Sequence, residues 1–212
     1  SVTSPSYGLY FNNYTTANTV GITIDNVSFS GVTNSAITVI DADAKLVTIQ
    51  NCPTITAGTY GIYTDAIDQS VITNCGISNC GGTGIYITNS GAVTINSYTI
   101  STITISNCGG YGVFINNGSA PVTTGYSLTG LDISNIGTSA ANYSAISLQN
   151  ANNVTISSST LASDSDGYGI YAVGGVSLDI NTNTSITAGD ATFAAVYISG
   201  ATSPTIGTAV SI

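Results

Sequence analysis

Positive charge is almost absent from this chain of 212 residues. Its one basic residue is Lys45, it has no His, and acidic residues outnumber it ten to one, so the formal net charge at pH 7 is -9. Nucleic-acid affinity comes mainly from Lys and Arg side chains that neutralise phosphates. The composition therefore excludes nucleic acid as a partner.

Long apolar runs are absent as well. Thr, Ser, Asn and Gly interrupt every stretch before it reaches the roughly 18 apolar residues that a membrane-spanning helix needs. We therefore expect no membrane span. Disorder is also excluded, because it requires low hydrophobicity with high charge, whereas 42% of the residues are apolar and 5% are charged.

One four-residue pattern recurs along the whole chain: a small residue, an apolar one, an outward-facing one and another apolar one. Successive copies are 28, 25, 23, 28, 33, 24 and 26 residues apart, which is too regular for chance. Eight copies predict eight structural repeats. The copies are residues 8–11, 36–39, 61–64, 84–87, 112–115, 145–148, 169–172 and 195–198.

Two further families of short, β-branched segments lie between these copies, and their alternating pattern is typical of strands rather than helices. We predict an all-β fold in which residues 1–212 form a single domain. It is a right-handed single-stranded parallel β-helix, a solenoid of about eight coils with three short strands per coil. A sandwich or barrel is the alternative, but these folds rarely repeat one motif eight times. The second-family segments are 21–24, 46–49, 71–73, 92–95, 154–156 and 176–178, and the third-family segments are 29–31, 77–79, 103–107 and 131–135.

Asn recurs at a fixed offset after the strands of the second and third families. Stacking parallel coils about 4.8 Å apart places equivalent residues above one another. An amide side chain both donates and accepts, so stacked Asn residues satisfy a turn and each other. We predict two structural ladders, and we expect Asn26 to be buried. The ladders are Asn26, Asn51 and Asn74, and Asn79, Asn107 and Asn135.

The coil repeat, with motifs such as Asn-Cys-Gly-Gly-Thr-Gly-Ile-Tyr-Ile at residues 79–87, resembles the parallel β-helix family of pectate-lyase-like proteins, phage tailspikes and surface adhesins. The resemblance covers essentially the whole chain and implies the fold, whereas this scaffold hosts unrelated activities. Lyases of this fold use a Lys or Arg base near an Asp-bound calcium, and Lys45 follows Asp41 and Asp43. Because no Arg is present to bind a uronate carboxylate, a solvated loop is the preferred interpretation.

The residues needed for other catalytic mechanisms are also largely lacking. A Ser or Cys nucleophile has no side chain that could act as its general base. Paired carboxylates, as used in glycoside hydrolysis, lie in or beside predicted turns, where Asp is favoured by local hydrogen bonding. Asp164 and Asp166 also offer oxygen ligands for calcium, but not a full set. We predict no enzyme activity, catalytic residue, metal or cofactor. The pairs are Asp41 with Asp43, Asp65 with Asp68, and Asp164 with Asp166.

The four cysteines form two predicted stacks between neighbouring coils. Cys52 and Cys75 each follow the Asn that comes after a second-family segment, and Cys80 and Cys108 each follow the Asn that ends a third-family segment. Stacking brings Cα atoms within the roughly 4.4–6.8 Å that a disulfide accepts, so two disulfides are one interpretation. Buried free thiols are the other, and we prefer it.

The outward position of the coil repeat is aromatic in six of its eight copies, with Thr38 and Ser147 as the gaps. Rings on a rigid ladder stack on sugars or pack against a partner. We predict a ligand or packing surface at this column. Its residues are Tyr10, Tyr63, Tyr86, Phe114, Tyr171 and Tyr197.

Two other surface patterns are present. An outward Thr column at Thr23, Thr48, Thr94 and Thr155 is similar to that of solenoid ice binders, although a Thr-x-Thr motif is not maintained. Six sequons suit a glycosylated surface protein, and the one at Asn26 is set aside because of its expected burial. The predicted glycosylation sites are Asn13, Asn117, Asn142, Asn153 and Asn183.

No cap is evident at either end of the predicted solenoid, and residues 204–212 have the pattern of another strand. Unpaired coil ends indicate either a segment of a longer solenoid or the end-to-end stacking of coils between subunits, and we favour the second interpretation. We therefore expect a non-catalytic, extracellular or cell-surface structural protein that self-associates end to end into a filament or fibre. The alternative is a carbohydrate-binding adhesin or tailspike-like module with a polysaccharide partner. A degenerate polysaccharide lyase or hydrolase and an ice-binding protein are less favoured.

Overall fold

The structure is a computed structural model that describes residues 5–12, 21–40, 46–90, 94, 96–118, 125–137, 143–164, 167–175, 177–182, 184–190 and 193–212. Within these ranges the chain forms strands and turns, and no helix there is long and apolar enough to cross a membrane. In chain order the strands are β1 (Tyr7–Asn12), β2 (Ile22–Asp25), β3 (Phe29–Val32), β4 (Ser35–Ile40), β5 (Val47–Gln50), β6 (Ile55–Ala57), β7 (Tyr60–Asp65), β8 (Ser70–Ser78), β9 (Ile85–Thr88), β10 (Tyr98–Cys108), β11 (Val113–Asn116), β12 (Tyr126–Ile136), β13 (Ile146–Gln149), β14 (Val154–Ser157), β15 (Thr160–Ala162), β16 (Ile170–Val173), β17 (Leu178–Ile180), β18 (Thr184–Thr187), β19 (Val196–Ser199), β20 (Thr205–Ile206) and β21 (Val210–Ser211).

The first sheet takes one strand from each copy of the sequence repeat. Its order is β1-β4-β7-β9-β11-β13-β16-β19, and neighbouring strands are parallel. Strands from consecutive coils are therefore neighbours, which is the connectivity of a parallel β-helix. The predicted all-β solenoid and its count of about eight coils are confirmed.

The second sheet combines the other two segment families. Its main path is β2-β5-β8-β10-β12-β14-β17-β20, and β3, β6, β15, β18 and β21 pair alongside that path. In three middle coils the second and third segments join into one strand, namely β8, β10 or β12. Counted by segment, a coil still has about three strands.

One second-family strand was predicted at the wrong place. The sequence favours residues 92–95 in the fourth coil, but Thr94 lies outside any strand and the other three residues are outside the described ranges. Thr99 of β10 instead pairs with Val71 on one side and Ser127 on the other. The physical reason is burial, since the neighbouring Ile100 is fully buried and supplies the core residue of this coil.

The chain turns between its second and third segments through single residues in the left-handed backbone region. That region costs most residues about 1–2 kcal/mol, and Asn tolerates it better than most. Asn is therefore favoured at this corner and at the one after the third segment. The first corner contains Asn26, Asn51, Asn74, Thr102, Gly130 and Ser158, and the second contains Asn79, Asn107 and Asn135, all with φ between 51° and 65°.

The stacked amides bond along the solenoid axis. Asn74 Nδ2 donates to Asn51 Oδ1 at 2.8 Å, and Asn135 Nδ2 donates to Asn107 Oδ1 at 3.1 Å. The expectation that Asn26 is buried is wrong, because its side chain is exposed like those of the other ladder residues. The left-handed turn directs these amides to the surface rather than into the core.

One hydrophobic cluster, rich in isoleucine, fills the interior from Ile24 to Ile186. Ile37, Ile62 and Ile85 are fully buried and follow one another in the register of the first sheet. Branched side chains pack well on a pleated surface, and like residues repeat in every coil. The core therefore holds the outer surface of each sheet in a fixed, periodic geometry.

Candidate functional site: an aromatic face

The six predicted aromatic residues lie in one register column on the outside of the first sheet. Tyr10 is 48% exposed and Tyr197 is 39% exposed, while the four between them are half-buried. The gap residues Thr38 and Ser147 are buried, at 1% and 0% exposure. The two small members of the column are therefore covered by their surroundings.

A second aromatic column, which the sequence analysis missed, lies three residues before the first. Tyr7, Tyr60, Tyr111 and Tyr168 each pack on the ring that follows in the same coil, with centroid distances of 4.8, 5.6, 4.8 and 5.2 Å. The signal was visible as a recurring Tyr-Gly-aliphatic-aromatic motif. We call the two columns together the aromatic face.

The glycine in that motif has a steric cause. A Cβ atom added at Gly61 would lie 2.7 Å from the Gly84 carbonyl oxygen and 2.7 Å from Ile77 Cγ2. At Gly169 it would lie 2.3 Å from Ile186 Cγ2. At these two glycines the inner side of the strand therefore has no room for a Cβ atom.

The rings in the middle of the aromatic face form a connected cluster. Tyr86 contacts Tyr60 at 5.1 Å, Tyr63 at 5.3 Å and Phe114 at 4.9 Å. Tyr143 meets Tyr111 edge-on at 4.8 Å. Such offset and edge contacts are the favoured aromatic geometries and fix ring orientation. The ring surfaces are thus rigidly presented.

A groove of about 260 Å³ opens within this cluster. It forms at the coil in which the second column has Thr83 instead of a ring. Tyr60 and Tyr111, from the two neighbouring coils, line it together with Tyr143. It is a concave, aromatic site on an otherwise ridged surface.

The phenols of this cluster are held neutral. Burial raises the pKa of Tyr63 to about 12, and the nearby Asp65 carboxylate adds to the effect. Burial also raises the pKa of Tyr86 and of Tyr111. Their hydroxyl groups therefore act as donors and acceptors without charge over the ordinary pH range.

Of the three predicted carboxylate pairs, only Asp65 and Asp68 are fully described. Both are buried, and Asp65 accepts bonds from the Ser90 amide and hydroxyl. Asp68 accepts from the Gln69 amide and from the amide and side chain of Asn96. These carboxylates anchor the chain between β9 and β10. Asp164 is exposed, whereas Asp41, Asp43, Lys45 and Asp166 lie outside the described residues.

The four cysteines are buried and free. Each thiol donates to the backbone carbonyl two residues before it: Cys52 to Gln50, Cys75 to Thr73, Cys80 to Ser78 and Cys108 to Ser106. Burial raises the pKa of Cys75 to about 12, and the neighbouring Cys108 thiol together with burial raises that of Cys80, whereas the Cys80 thiol lowers the pKa of Cys108. Protonated, buried thiols behave as small apolar side chains.

The predicted glycosylation sites differ in exposure. The prediction for Asn117 is wrong, because its side chain is 1% exposed and both of its polar atoms are bonded. Its Nδ2 donates to the Asn150 carbonyl at 3.1 Å, and its Oδ1 accepts from the Tyr126 hydroxyl at 2.7 Å. Asn153 is exposed. Asn13, Asn142 and Asn183 lie outside the described residues.

The outside of the second sheet has a different chemistry. Thr94 does not belong to its Thr column, and Thr99 takes that place in register. A second hydroxyl column lies two residues further along each strand, and Ser101 Oγ donates to Thr73 Oγ1 at 2.9 Å within it. We call both columns the hydroxyl face. The first contains Thr23, Thr48, Thr99, Ser127 and Thr155, and the second contains Thr73, Ser101, Thr129 and Ser157.

Residues 7–184 match the family described as the right handed beta helix region. The chain therefore belongs to the right-handed β-helix family, as the strand connectivity requires. Neither a curated protein nor a solved structure matches the chain. Since this scaffold serves unrelated activities, function has to be argued from the surface.

Proposed function

We propose that the protein is a non-catalytic, extracellular β-helix whose aromatic face binds carbohydrate. The observation that supports it is the double aromatic column, in which rings from successive coils contact one another and remain partly exposed. Rigid aromatic surfaces with polar edges are suited to ligands that are themselves apolar on one side and polar at the rim. A sugar ring is such a ligand, because its C–H groups form a flat face and its hydroxyls surround it.

The hydrogen bonds of Asp65 and Asp68 fit a structural role better than a role in hydrolysis. Asp65 and Asp68 are bonded to backbone amides and to side chains of the loop before β10. A general acid and a base must instead reach the glycosidic oxygen and a water molecule. In our proposal, these two residues stabilise the scaffold beneath the aromatic face.

The test is a binding titration with a panel of oligosaccharides, using tyrosine fluorescence as the signal. The chain has no Trp, so its emission reports tyrosine alone. We expect at least one neutral hexasaccharide among cello-, xylo- and mannohexaose to bind without being cleaved. Absence of binding by the whole panel would contradict the proposal, and release of shorter sugars would contradict its non-catalytic part.

End-to-end assembly into a filament is a second proposal, favoured by the parallel pairing that repeats from coil to coil. Ile206 lies in register with the fully buried Ile180, yet it is 47% exposed. At the other end, Leu9 and Phe11 are only partly buried. We propose a second copy of the chain as the occupant of this apolar surface, because the same register continues from coil to coil.

Sedimentation tests the assembly. Ile206→Lys places a charge on the stacking surface and is expected to reduce polymers to single chains. Thr205→Lys adds the same charge on the outward side of the same strand, so it is the matched control and is expected to assemble normally. Assembly of Ile206→Lys at the wild-type level, or a wild-type protein that remains monomeric, would contradict the filament proposal.

A further inference from the structure

We infer that the groove at Thr83 is a subsite for one uncharged pyranose ring of a glycan that runs along the solenoid axis. The inference rests on the proposed carbohydrate binding and assigns its position, ligand charge and direction. It depends on the shape of one gap in the second aromatic column. A groove opens beside that gap, although Thr83 itself is only 6% exposed, whereas Thr38 and Ser147 in the first column are 1% and 0% exposed.

The floor of the groove is fixed by backbone packing. A Cβ atom added at Gly110 would lie 3.1 Å from both the Gly82 carbonyl carbon and Thr83 Oγ1. One added at Gly82 would lie 2.8 Å from the Thr59 carbonyl oxygen. Gly82 has no room for a Cβ atom, and at Gly110 the neighbouring atoms would have to shift by a few tenths of an ångström to admit one. The depth of the groove is therefore set by the close approach of three coils.

The walls are rings from the coils on either side. Tyr60 lines one side and Tyr111 the other, and Tyr86 stacks on Phe114 at 4.9 Å with a 30° interplanar angle. A volume of about 260 Å³ lies below the range of roughly 300–1,000 Å³ typical of sites for drug-sized ligands. The groove therefore suits one sugar ring rather than a larger compact ligand.

Charge selects against acidic glycans. The residues that line the groove are Thr, Gly, Tyr and Phe, with no charged side chain among them. Arg and Lys are the strong donors to a uronate or sulfate, and the sole basic residue of the chain is Lys45. A formal net charge of -9 also disfavours the approach of an anion. The expected ligand is a neutral polysaccharide.

The coil spacing gives the direction. Neighbouring strands of a sheet are about 4.8 Å apart, and an extended chain of pyranoses advances by a comparable distance per sugar. A glycan parallel to the axis therefore meets ring surfaces in successive coils. The sugar in the groove is flanked by neighbours that contact Tyr63 or Tyr60 on one side and Phe114 or Tyr143 on the other.

The experiment fills the groove. Thr83→Tyr places a ring where neighbouring coils already have Tyr60 and Tyr111. Thr99→Tyr is the matched control, since it makes the same change on the hydroxyl face, in register between Val71 and Ser127. The probes are whichever neutral hexasaccharide binds the wild type, and hexagalacturonate as the charged comparison. Circular dichroism checks the fold of each variant.

We expect Thr83→Tyr to weaken binding at least tenfold, Thr99→Tyr to change it less than twofold, and hexagalacturonate not to bind. Thr83→Val keeps the volume and removes the hydroxyl, so it is expected to weaken binding by about two- to tenfold even if the tyrosine variant does not fold. Wild-type affinity in both Thr83 variants would overturn the subsite while leaving carbohydrate binding standing. Tight binding of hexagalacturonate would overturn its charge selectivity. A wild type that binds no probe would instead overturn the proposed function.

Discussion

The aromatic face and the hydroxyl face extend from the same coils over the same core, yet they differ in nearly every surface property. On the first, rings pack between coils, as where Tyr86 meets Phe114. On the second, hydroxyls bond between coils, as where Ser101 meets Thr73. The shared core sets the coil spacing, and the outward side chains decide the chemistry.

This comparison shows how a repeat scaffold separates stability from recognition. Inward positions are apolar on both sheets, for example Ile85 beneath the aromatic face and Ile100 beneath the hydroxyl face. Outward positions are free to differ, because they add little to burial. On such a sheet, a binding site forms where large rings, or a gap between two rings, occupy the outward positions of particular coils.

The largest effect is expected in the core that both faces share. Ile85→Ala and Ile100→Ala each remove a fully buried side chain and leave a cavity. Each is expected to cost about 2–5 kcal/mol in the free energy of unfolding, measured by chemical denaturation. A cost below about 1 kcal/mol for either variant would show that its sheet lacks a tightly packed interior.

Alkaline pH should lower the stability of the fold chiefly by ionising phenols, which the hydroxyl face lacks. The pKa of Tyr63 is raised from 10.0 to about 12 by burial and by the Asp65 carboxylate. Folding therefore favours the neutral phenol, so the stability it contributes is present below pH 10 and is lost as the pH rises toward 12. Burial of Tyr98 raises its pKa too and adds to the loss.

Thermal unfolding and tyrosinate absorbance, measured over this pH interval, check the expectation. Tyr63→Phe is the control, since it cannot ionise and should lose less stability in alkali than the wild type. An equal loss in both proteins would assign the alkaline sensitivity to other groups.

The smallest effect is expected on the hydroxyl face. Ser101→Ala removes the 2.9 Å bond to Thr73 and should cost about 0.5–1.5 kcal/mol in the free energy of unfolding. The Thr73→Ala and Ser101→Ala double variant should cost less than the sum of the two single variants, because both remove the same bond. Strict additivity would show that this bond does not contribute.

The fold could be predicted because its determinants are local and repeated. The aliphatic positions of each coil mark the core strands, and the Asn periodicity marks corners with left-handed backbone at Asn51, Asn74 and Asn107. Residues 92–95 misled the prediction because they carry the same alternation as a strand, and only the register with Val71 and Ser127 identifies Thr99 as the equivalent residue.

The site was less accessible from sequence. The first aromatic column follows from the repeat. The second is predicted only if the residue before each recurring glycine is also compared between coils, as with Tyr60 before Gly61. The groove is defined by a missing ring at Thr83, and an absence has no sequence motif. Burial also determines which sequons are accessible to glycosylation, since Asn26 and Asn117 carry the same motif but Asn26 is exposed and Asn117 is buried.

The central claim is that recognition belongs to one face of the solenoid. The most direct test is to measure the affinity of the best neutral hexasaccharide for Tyr86→Ala and for Thr99→Ala side by side, with the fold of each variant checked. We predict at least a tenfold loss for Tyr86→Ala, whose ring contacts Tyr60, Tyr63 and Phe114, and less than a twofold change for Thr99→Ala. An unchanged affinity for Tyr86→Ala, or a larger loss for Thr99→Ala, would contradict the account.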